Sequence, residues 1–232
     1  MINFFTPQNT VLLITGLVNL AMSIFVFIRS PKNKINLYFG LVTFFNLLWA
    51  ITLIIFNLSN DEKILRLFAS LPYTMAWLVI IFLFYFAVYF PYQLFPIKKI
   101  YYFLINIVSV LMVMYTVFGY KLFVLGVNFT PNHMANYDFV GYSIYAALMT
   151  LVILSSLIIL IIKYKKAEGI FKTQLGLILI SVIIGTIFGC YFNLFLMYID
   201  NFSYIHLGPL FTLFINFIVF SFLVLPKEKI HG

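Results

Sequence analysis

The chain has 232 residues, of which 64% are hydrophobic and only 9% are charged, and its formal net charge is +8. Soluble domains carry about 25% charged residues, so this composition argues against an ordinary soluble domain and is typical of an integral membrane protein. The positive charge does not require a nucleic acid partner, because its distribution along the chain has a simpler explanation.

Seven long apolar stretches follow one another, and none of them contains Asp, Glu, Lys or Arg. Each has about 20 residues, the length that an α-helix needs to cross a hydrocarbon core about 30 Å thick. The sequence therefore predicts an all-α membrane protein, a seven-transmembrane helix bundle that forms one domain over residues 1–232 and includes no soluble output domain. The predicted helices are 8–28, 35–56, 69–90, 100–118, 141–162, 173–196 and 207–225.

Basic residues are concentrated on alternate connections between these stretches. Three of the 14 Lys and Arg residues, Lys63, Arg66 and Lys121, lie on one set of connections. The others lie on the opposite set and in the C-terminal tail: Arg29, Lys32, Lys34, Lys98, Lys99, Lys163, Lys165, Lys166, Lys172, Lys227 and Lys229. Because positive charge is retained on the cytoplasmic side, we expect a cell-membrane protein with its N-terminus outside and its C-terminus in the cytoplasm. The basic side is also expected to contact anionic membrane lipid.

Two outer connections have features of their own. Residues 63–71 predict a short interfacial helix that leads into the third transmembrane helix, with Pro72 near the start of that helix, where proline is tolerated. Residues 119–140 form the longest connection. Their β-prone residues around Gly126 predict a hairpin over the outer mouth of the bundle.

Aromatic and polar residues within the stretches supply the candidate site. Trp49 and Trp77 lie away from the helix ends, and Tyr73 shares one face of the third helix with Trp77, so these three are candidates for lining an outward cavity. The alternative is that they are core or lipid-contacting residues. His206, at the opening of the seventh helix, is a candidate for a group that titrates near neutral pH, or is simply solvated.

Asn193 is the remaining candidate ligand-binding residue. It continues a row of small residues at four-residue spacing, Ser181, Gly185 and Gly189, which favours close helix packing within the bundle or a homodimer seam. It also belongs to a set of buried asparagines that are predicted to form hydrogen bonds between helices rather than to contact a ligand: Asn19, Asn46, Asn106, Asn193 and Asn216.

The sequence shows no arrangement that indicates catalysis. It has no Gly-rich phosphate loop, no Ser, His and Asp set, no HExxH motif and no cluster of metal ligands. The charge-free stretches argue against a proton pump, a coupled antiporter, a voltage sensor and a retinal protein. We therefore expect no enzymatic activity, cofactor, metal or nucleic acid partner.

Four segments, in order, carry a resemblance to a known family. They are 27–39 with Trp49, 84–91, 163–169 with 172–174, and 207–210. Together they resemble the N-terminal seven-transmembrane sensory region of bacterial histidine kinases, which also occurs ahead of diguanylate cyclases. The resemblance implies a receptor of a two-component signal-transduction system, in which a small-molecule or membrane stimulus shifts the seventh helix. The phosphoacceptor region, nucleotide-binding domain and cyclase motif are missing, so this is either an excised sensory domain or a chain that signals through a separate cytoplasmic kinase or cyclase.

The main alternative is a small-solute transporter or channel subunit. It predicts a polar track through the bilayer and, often, internal repeats. The asparagines could supply part of such a track, but no paired charges do, and no inverted repeat is evident in the sequence. A eukaryotic G-protein-coupled receptor ranks last, because Tyr89–Pro91 replaces the charged motif expected at the inner end of the third helix.

Overall fold

The computed structural model describes residues 5–30, 32–94, 98–128, 134–199 and 201–224, and most of them are helical. Within these ranges, six helices are long and apolar enough to cross a membrane, namely α1, α2, α3, α4, α6 and the continuous helix formed by α7 and α8. In chain order the elements are α1 (Pro7–Arg29), α2 (Lys34–Leu58), α3 (Glu62–Tyr89), α4 (Lys99–Val117), α5 (Tyr120–Phe123), β1 (Val124–Asn128), β2 (Met134–Tyr137), α6 (Phe139–Lys166), α7 (Gly169–Cys190), a π-helical turn (Tyr191–Phe195), α8 (Leu196–Tyr198) and α9 (Leu207–Val224). The predicted long apolar helices are confirmed, with a helix in each of the seven apolar stretches.

Side-chain caps explain where several helices begin. The Thr6 hydroxyl accepts a hydrogen bond from the backbone N–H of Asn9, and Pro7 occupies the first turn of α1. The Asn33 side chain caps α2, and the Asp138 carboxylate caps α6. Such caps satisfy N–H groups that have no partner within the helix.

The start of α3 differs from the prediction. The helix begins at Glu62 and continues through Pro72 to Tyr89, so a separate interfacial helix over 63–71 and a first-turn position for Pro72 are both wrong. The Asp61 carboxylate accepts hydrogen bonds from the N–H groups of Lys63 and Ile64 and starts the helix early. Proline within a transmembrane helix is tolerated where neighbouring groups compensate for the lost hydrogen bond.

The end of α6 also extends beyond the prediction. The basic run after residue 162 was expected to lie in a connection, but α6 continues to Lys166 and Lys163 is buried. The Lys163 ammonium donates to the backbone oxygens of Ala87, Val88, Phe90 and Tyr92 at 2.7–2.8 Å. These oxygens lie at the C-terminus of α3, where a cation is favoured by the helix dipole. Lys163 therefore fastens α6 to α3.

The predicted hairpin is present. Strands β1 and β2 pair antiparallel, while residues 129–133, including His133, lie outside the described residues. The Arg66 guanidinium of α3 donates to the backbone oxygens of Val124 and Lys121, and the Tyr137 hydroxyl donates to the backbone oxygen of Ala69. The hairpin is thus fastened to the N-terminal part of α3. We call this side of the bundle the hairpin end, and the opposite side, which carries Arg29 and Lys34, the basic end.

The helices are arranged around a central space. Helix α3 packs against α2, α4 and α6; α7 packs against α6 and α9; and α9 returns to α2. Helices α2, α3, α6, α7 and α9 therefore form a ring, with α1 packed on α2 and α9 and with α4 packed on α3.

The row of small residues lies on the α7 face that packs against α9. A Cβ atom added at Gly185 would collide with the Ile215 side chain of α9. One at Gly189 would meet no atom within 4 Å. Packing within the bundle therefore explains Gly185, and the homodimer seam stays a prediction.

Candidate functional site

The central space contains a cavity of about 50 Å³, measured as the space open to the centre of a water molecule. Its walls come from all five helices of the ring and from the segment before α9. The lining residues are Val42, Trp49, Pro72, Tyr73, Ala76, Val79, Ile80, Leu83, Tyr145, Met149, Ile153, Gly185, Thr186, Gly189, Cys190, Asn193, Leu194, Ile205, Thr212, Ile215 and Asn216. One water molecule needs about 10–15 Å³ by this measure, so the cavity has room for a small molecule.

The walls contributed by α2, α3 and α6 are apolar and aromatic. The Tyr73 ring meets four other rings edge-on, with centroids 5.1–5.8 Å away. These rings belong to α5, β2 and α6: Phe123, Tyr137, Tyr142 and Tyr145. Edge-to-face pairs are a favoured geometry for aromatic rings. This aromatic cluster connects the hairpin to the cavity wall at Tyr73 and Tyr145.

The wall contributed by α7, the π-helical turn and α9 carries the side-chain amides of the cavity, those of Asn193 and Asn216. Asn193 lies on the π-helical turn, where the Tyr142 hydroxyl donates to the backbone oxygens of Asn193 and Leu194 at 3.1 and 3.0 Å. A π-helical turn loosens the regular backbone pairing, and such turns are frequent at functional sites. Gly208 makes room for the Asn193 side chain, since a Cβ atom there would collide with its amide.

Two buried amide oxygens on this wall have no hydrogen-bond partner among the described residues. The Asn193 side chain donates through Nδ2 to the backbone oxygen of Gly189 at 3.2 Å, while its Oδ1 accepts no hydrogen bond. The Asn216 side chain donates through Nδ2 to Oδ1 of Asn19 at 2.7 Å, and its Oδ1 is likewise unpaired. A buried polar group without a partner costs about 1–3 kcal/mol, so each oxygen would gain from a hydrogen-bond donor.

Hydrogen bonds connect α9 to α1 and α2 at three positions along its length. Near the hairpin end, Nδ2 of Asn46 donates to the backbone oxygen of Pro209 at 3.2 Å. In the middle of α9, Asn216 donates to Asn19. Near the basic end, Nη1 of Arg29 donates to the backbone oxygen of Leu223 at 2.7 Å. The ties at Asn46 and Asn216 confirm that these asparagines form contacts between helices.

On its other side, α9 packs against α7 through a stack of aromatic rings. The Phe188 and Phe211 rings are nearly parallel, with centroids 4.6 Å apart. The Phe192 ring stacks on Phe211 at 5.6 Å. Helix α9 is therefore a wall of the cavity that is held from two sides by contacts of different kinds.

The structure brings three of the five candidate residues to the cavity. Trp49, Tyr73 and Asn193 line it. Trp77 is buried in the core, with its ring centroid 6.2 Å from that of Tyr145, and it does not line the cavity. His206 is half-buried beside the lining residue Ile205, also off the wall, and burial lowers the pKa of its imidazole below the ordinary value.

The roles of two residues, one at the site and one at the basic end, were not recognised in the sequence. Asn216 was interpreted only as a contact between helices, although it also lines the cavity. Lys163 was assigned to a basic connection between two helices. A signal was present for Lys163, because it continues the buried face Ile153, Ser156 and Leu160 at helical spacing.

Among the described residues, no group of three His, Cys, Asp or Glu side chains is placed to hold a metal ion. The geometry of the cavity, with apolar walls and unpaired acceptors, is suited to binding a small molecule. No protein-family model matches the chain, and a search of curated proteins finds none that matches it significantly.

Proposed function

We propose that the chain is a membrane receptor module, in which a small molecule or a change in the bilayer acts on the central cavity and shifts α9 relative to α1 and α2. The observation that carries this proposal is the position of α9. This helix forms one wall of the cavity, and hydrogen bonds outside that wall and within it connect it to α1 and α2. An occupant of the cavity contacts α9 directly, and can therefore change the balance between two positions of this helix.

The proposal includes the topology expected from the charges. The chain would cross the membrane seven times, with the hairpin end outside and the basic end in the cytoplasm. Helix α9 has 18 residues in the described part of the chain, about 27 Å at 1.5 Å per residue, which is close to the thickness of a hydrocarbon core. Its last described turn is capped by Arg29 at the basic end, where a cytoplasmic output domain would receive the movement.

The resemblance to the sensory regions of bacterial histidine kinases agrees with this mechanism. The output partner would be a cytoplasmic kinase or cyclase domain, either fused to the sensory domain or separate from it. A stimulus can shift α9 only by the difference in its affinity for the two arrangements. To move the two arrangements from a ratio of 1:99 to 99:1, the stimulus must bind the favoured arrangement about 10⁴-fold more tightly than the other.

The test joins residues 1–232 to a histidine kinase output domain and measures autophosphorylation in membranes. The Asn46→Leu substitution removes one tie to α9 without altering the cavity lining. Since one hydrogen bond contributes about 1 kcal/mol, we expect basal output to change about fivefold, in either direction.

Asn106→Leu is the matched control, because it removes the Tyr85–Asn106 hydrogen bond between α3 and α4 and leaves α9 untouched. Equal output from the wild type and both variants would contradict the proposal. Solute flux through the purified wild-type protein in liposomes would favour the transporter alternative instead.

A further inference from the structure

We infer that the cavity binds a small uncharged molecule that has an apolar body and a hydroxyl or N–H group, and that this group donates a hydrogen bond to Oδ1 of Asn193. The inference rests on the proposed receptor role of the cavity and specifies the chemical class of its occupant.

The orientation of both amides is fixed by neighbours that can only accept. Asn193 Nδ2 points to the backbone oxygen of Gly189, which has no proton to donate. Nδ2 of Asn19 donates to the backbone oxygen of Thr15 at 2.8 Å, so Oδ1 of Asn19 is an acceptor and Nδ2 of Asn216 must face it. Rotating either amide by half a turn would place two acceptors together. The unpaired group on each side chain is therefore an oxygen, and its missing partner is a donor.

The charge of the occupant follows from the lining. In the part of the chain that the structure describes, none of the lining residues is Asp, Glu, Lys, Arg or His. An unpaired ion in such a space carries a large desolvation penalty, so an ammonium or carboxylate ligand is disfavoured. The aromatic and aliphatic wall formed by Trp49, Tyr145, Met149 and Ile153 suits an apolar body.

The size of the occupant follows from the volume. One water molecule needs about 10–15 Å³ by the same measure, so about 50 Å³ holds a body of about three or four heavy atoms. A larger molecule must move a wall. Helix α9 lies directly beside the site, because Gly208 touches the Asn193 amide.

Asn193 is the better anchor of the two acceptors. Asn216 lies eight residues beyond Gly208, or about 12 Å deeper at 1.5 Å per residue. A body of the size inferred above cannot reach both oxygens. Asn193 also lies one helical turn from Cys190, which lines the same cavity and is the single cysteine of the chain.

Cys190 allows a direct test on the otherwise unmodified chain. The purified full chain is equilibrated with the symmetrical disulfides of 2-mercaptoethanol and of 1-propanethiol, each with its free thiol. Exchange places either –S–CH₂CH₂–OH or –S–CH₂CH₂–CH₃ on Cys190. The two adducts have nearly the same size, and only one of them carries a donor. Intact-mass spectrometry gives their ratio, and the same chain unfolded in denaturant provides the reference ratio.

Folded protein is expected to favour the hydroxyethyl adduct over the propyl adduct by about two- to tenfold relative to the unfolded reference, the range for one neutral hydrogen bond. Asn193→Leu is expected to abolish this preference. Asn106→Leu, which replaces an asparagine that does not line the cavity, is expected to keep it.

Equal adduct ratios in the folded and unfolded wild-type chain would overturn the inference. This comparison uses only the wild-type chain, so it does not require any variant to fold. A preference that survives Asn193→Leu would overturn the assignment to this residue. Neither result depends on signal output, so failure here is distinguishable from failure of the kinase fusion, which measures output without identifying a ligand.

Discussion

At the scale of single residues, Lys163 shows how a charged side chain can be buried in an apolar bundle. Its side chain is 1% exposed, and its ammonium is surrounded by four backbone oxygens. An ammonium has three protons, so at least one proton is shared between two oxygens. Buried charges require this kind of compensation. Lys163 therefore stabilises the end of α3 and its contact with α6.

Replacing Lys163 by Met keeps a similar apolar chain and removes the donor. We expect the free energy of unfolding to fall by about 2–3 kcal/mol, the contribution typical of hydrogen bonds to a charged group. The measurement is denaturation of the detergent-solubilised protein followed by circular dichroism. Lys165→Met is the control, because Lys165 is exposed on the same helix and its replacement should leave stability nearly unchanged. Equal stability of the two variants would show that the carbonyl contacts contribute little.

At the scale of elements, the α7 face directed at α9 includes both a closely packed position and a position that borders the cavity. Gly185 touches Ile215, whereas Gly189, one turn further along the same face, borders the cavity. The two glycines thus have different roles, although both belong to the same row of small residues at four-residue spacing. The first permits close approach of two helices, and the second leaves volume open.

The two positions are predicted to respond oppositely to alanine. Gly189→Ala should raise the free energy of unfolding by up to about 1 kcal/mol, because alanine favours helix and meets no atom there. Gly185→Ala should lower it by about 1–3 kcal/mol through overpacking against Ile215. Thermal denaturation of both variants in the same detergent measures the difference. Stabilisation by Gly185→Ala would mean that the contact between α7 and α9 is looser than described.

At the scale of the whole molecule, the two ends of the bundle differ in structure as well as in charge. At the hairpin end, the aromatic cluster and the Arg66 contacts hold the hairpin against α3. The basic end carries Arg29, Lys34 and Lys163, whose side chains contact α9, the Tyr89 ring and α3 respectively. Basic residues at this end therefore connect helices, in addition to the orienting role that we propose for them.

The proposed topology predicts a labelling pattern for single cysteines placed in a Cys190→Ser background. In intact cells, a membrane-impermeant maleimide should label Asn60→Cys and Ser203→Cys at the hairpin end. Lys165→Cys and an epitope tag added after Gly232 should become accessible only after lysis. The parent without cysteine controls for background. Labelling of Lys165→Cys in intact cells would refute the orientation, and an accessible C-terminal tag would refute the crossing by α9.

The sequence by itself determined the helical membrane class, the approximate position of every long helix and the presence of the hairpin. Each of these follows from local information: apolar length, charge placement and turn residues act within a short segment of chain. The continuation of α3 through Pro72 was missed because the Asp61 cap and the surrounding contacts outweigh the local preference of proline.

Only the tertiary structure decided the site. Trp49 and Tyr73 reach the cavity while Trp77 does not, because the side on which a helix meets its neighbours depends on the packing of the whole bundle. The unpaired oxygens of Asn193 and Asn216 likewise depend on partners far away in the sequence, such as Asn19 for Asn216. A sequence shows which polar groups enter the bundle, but whether each finds a partner depends on how the helices assemble.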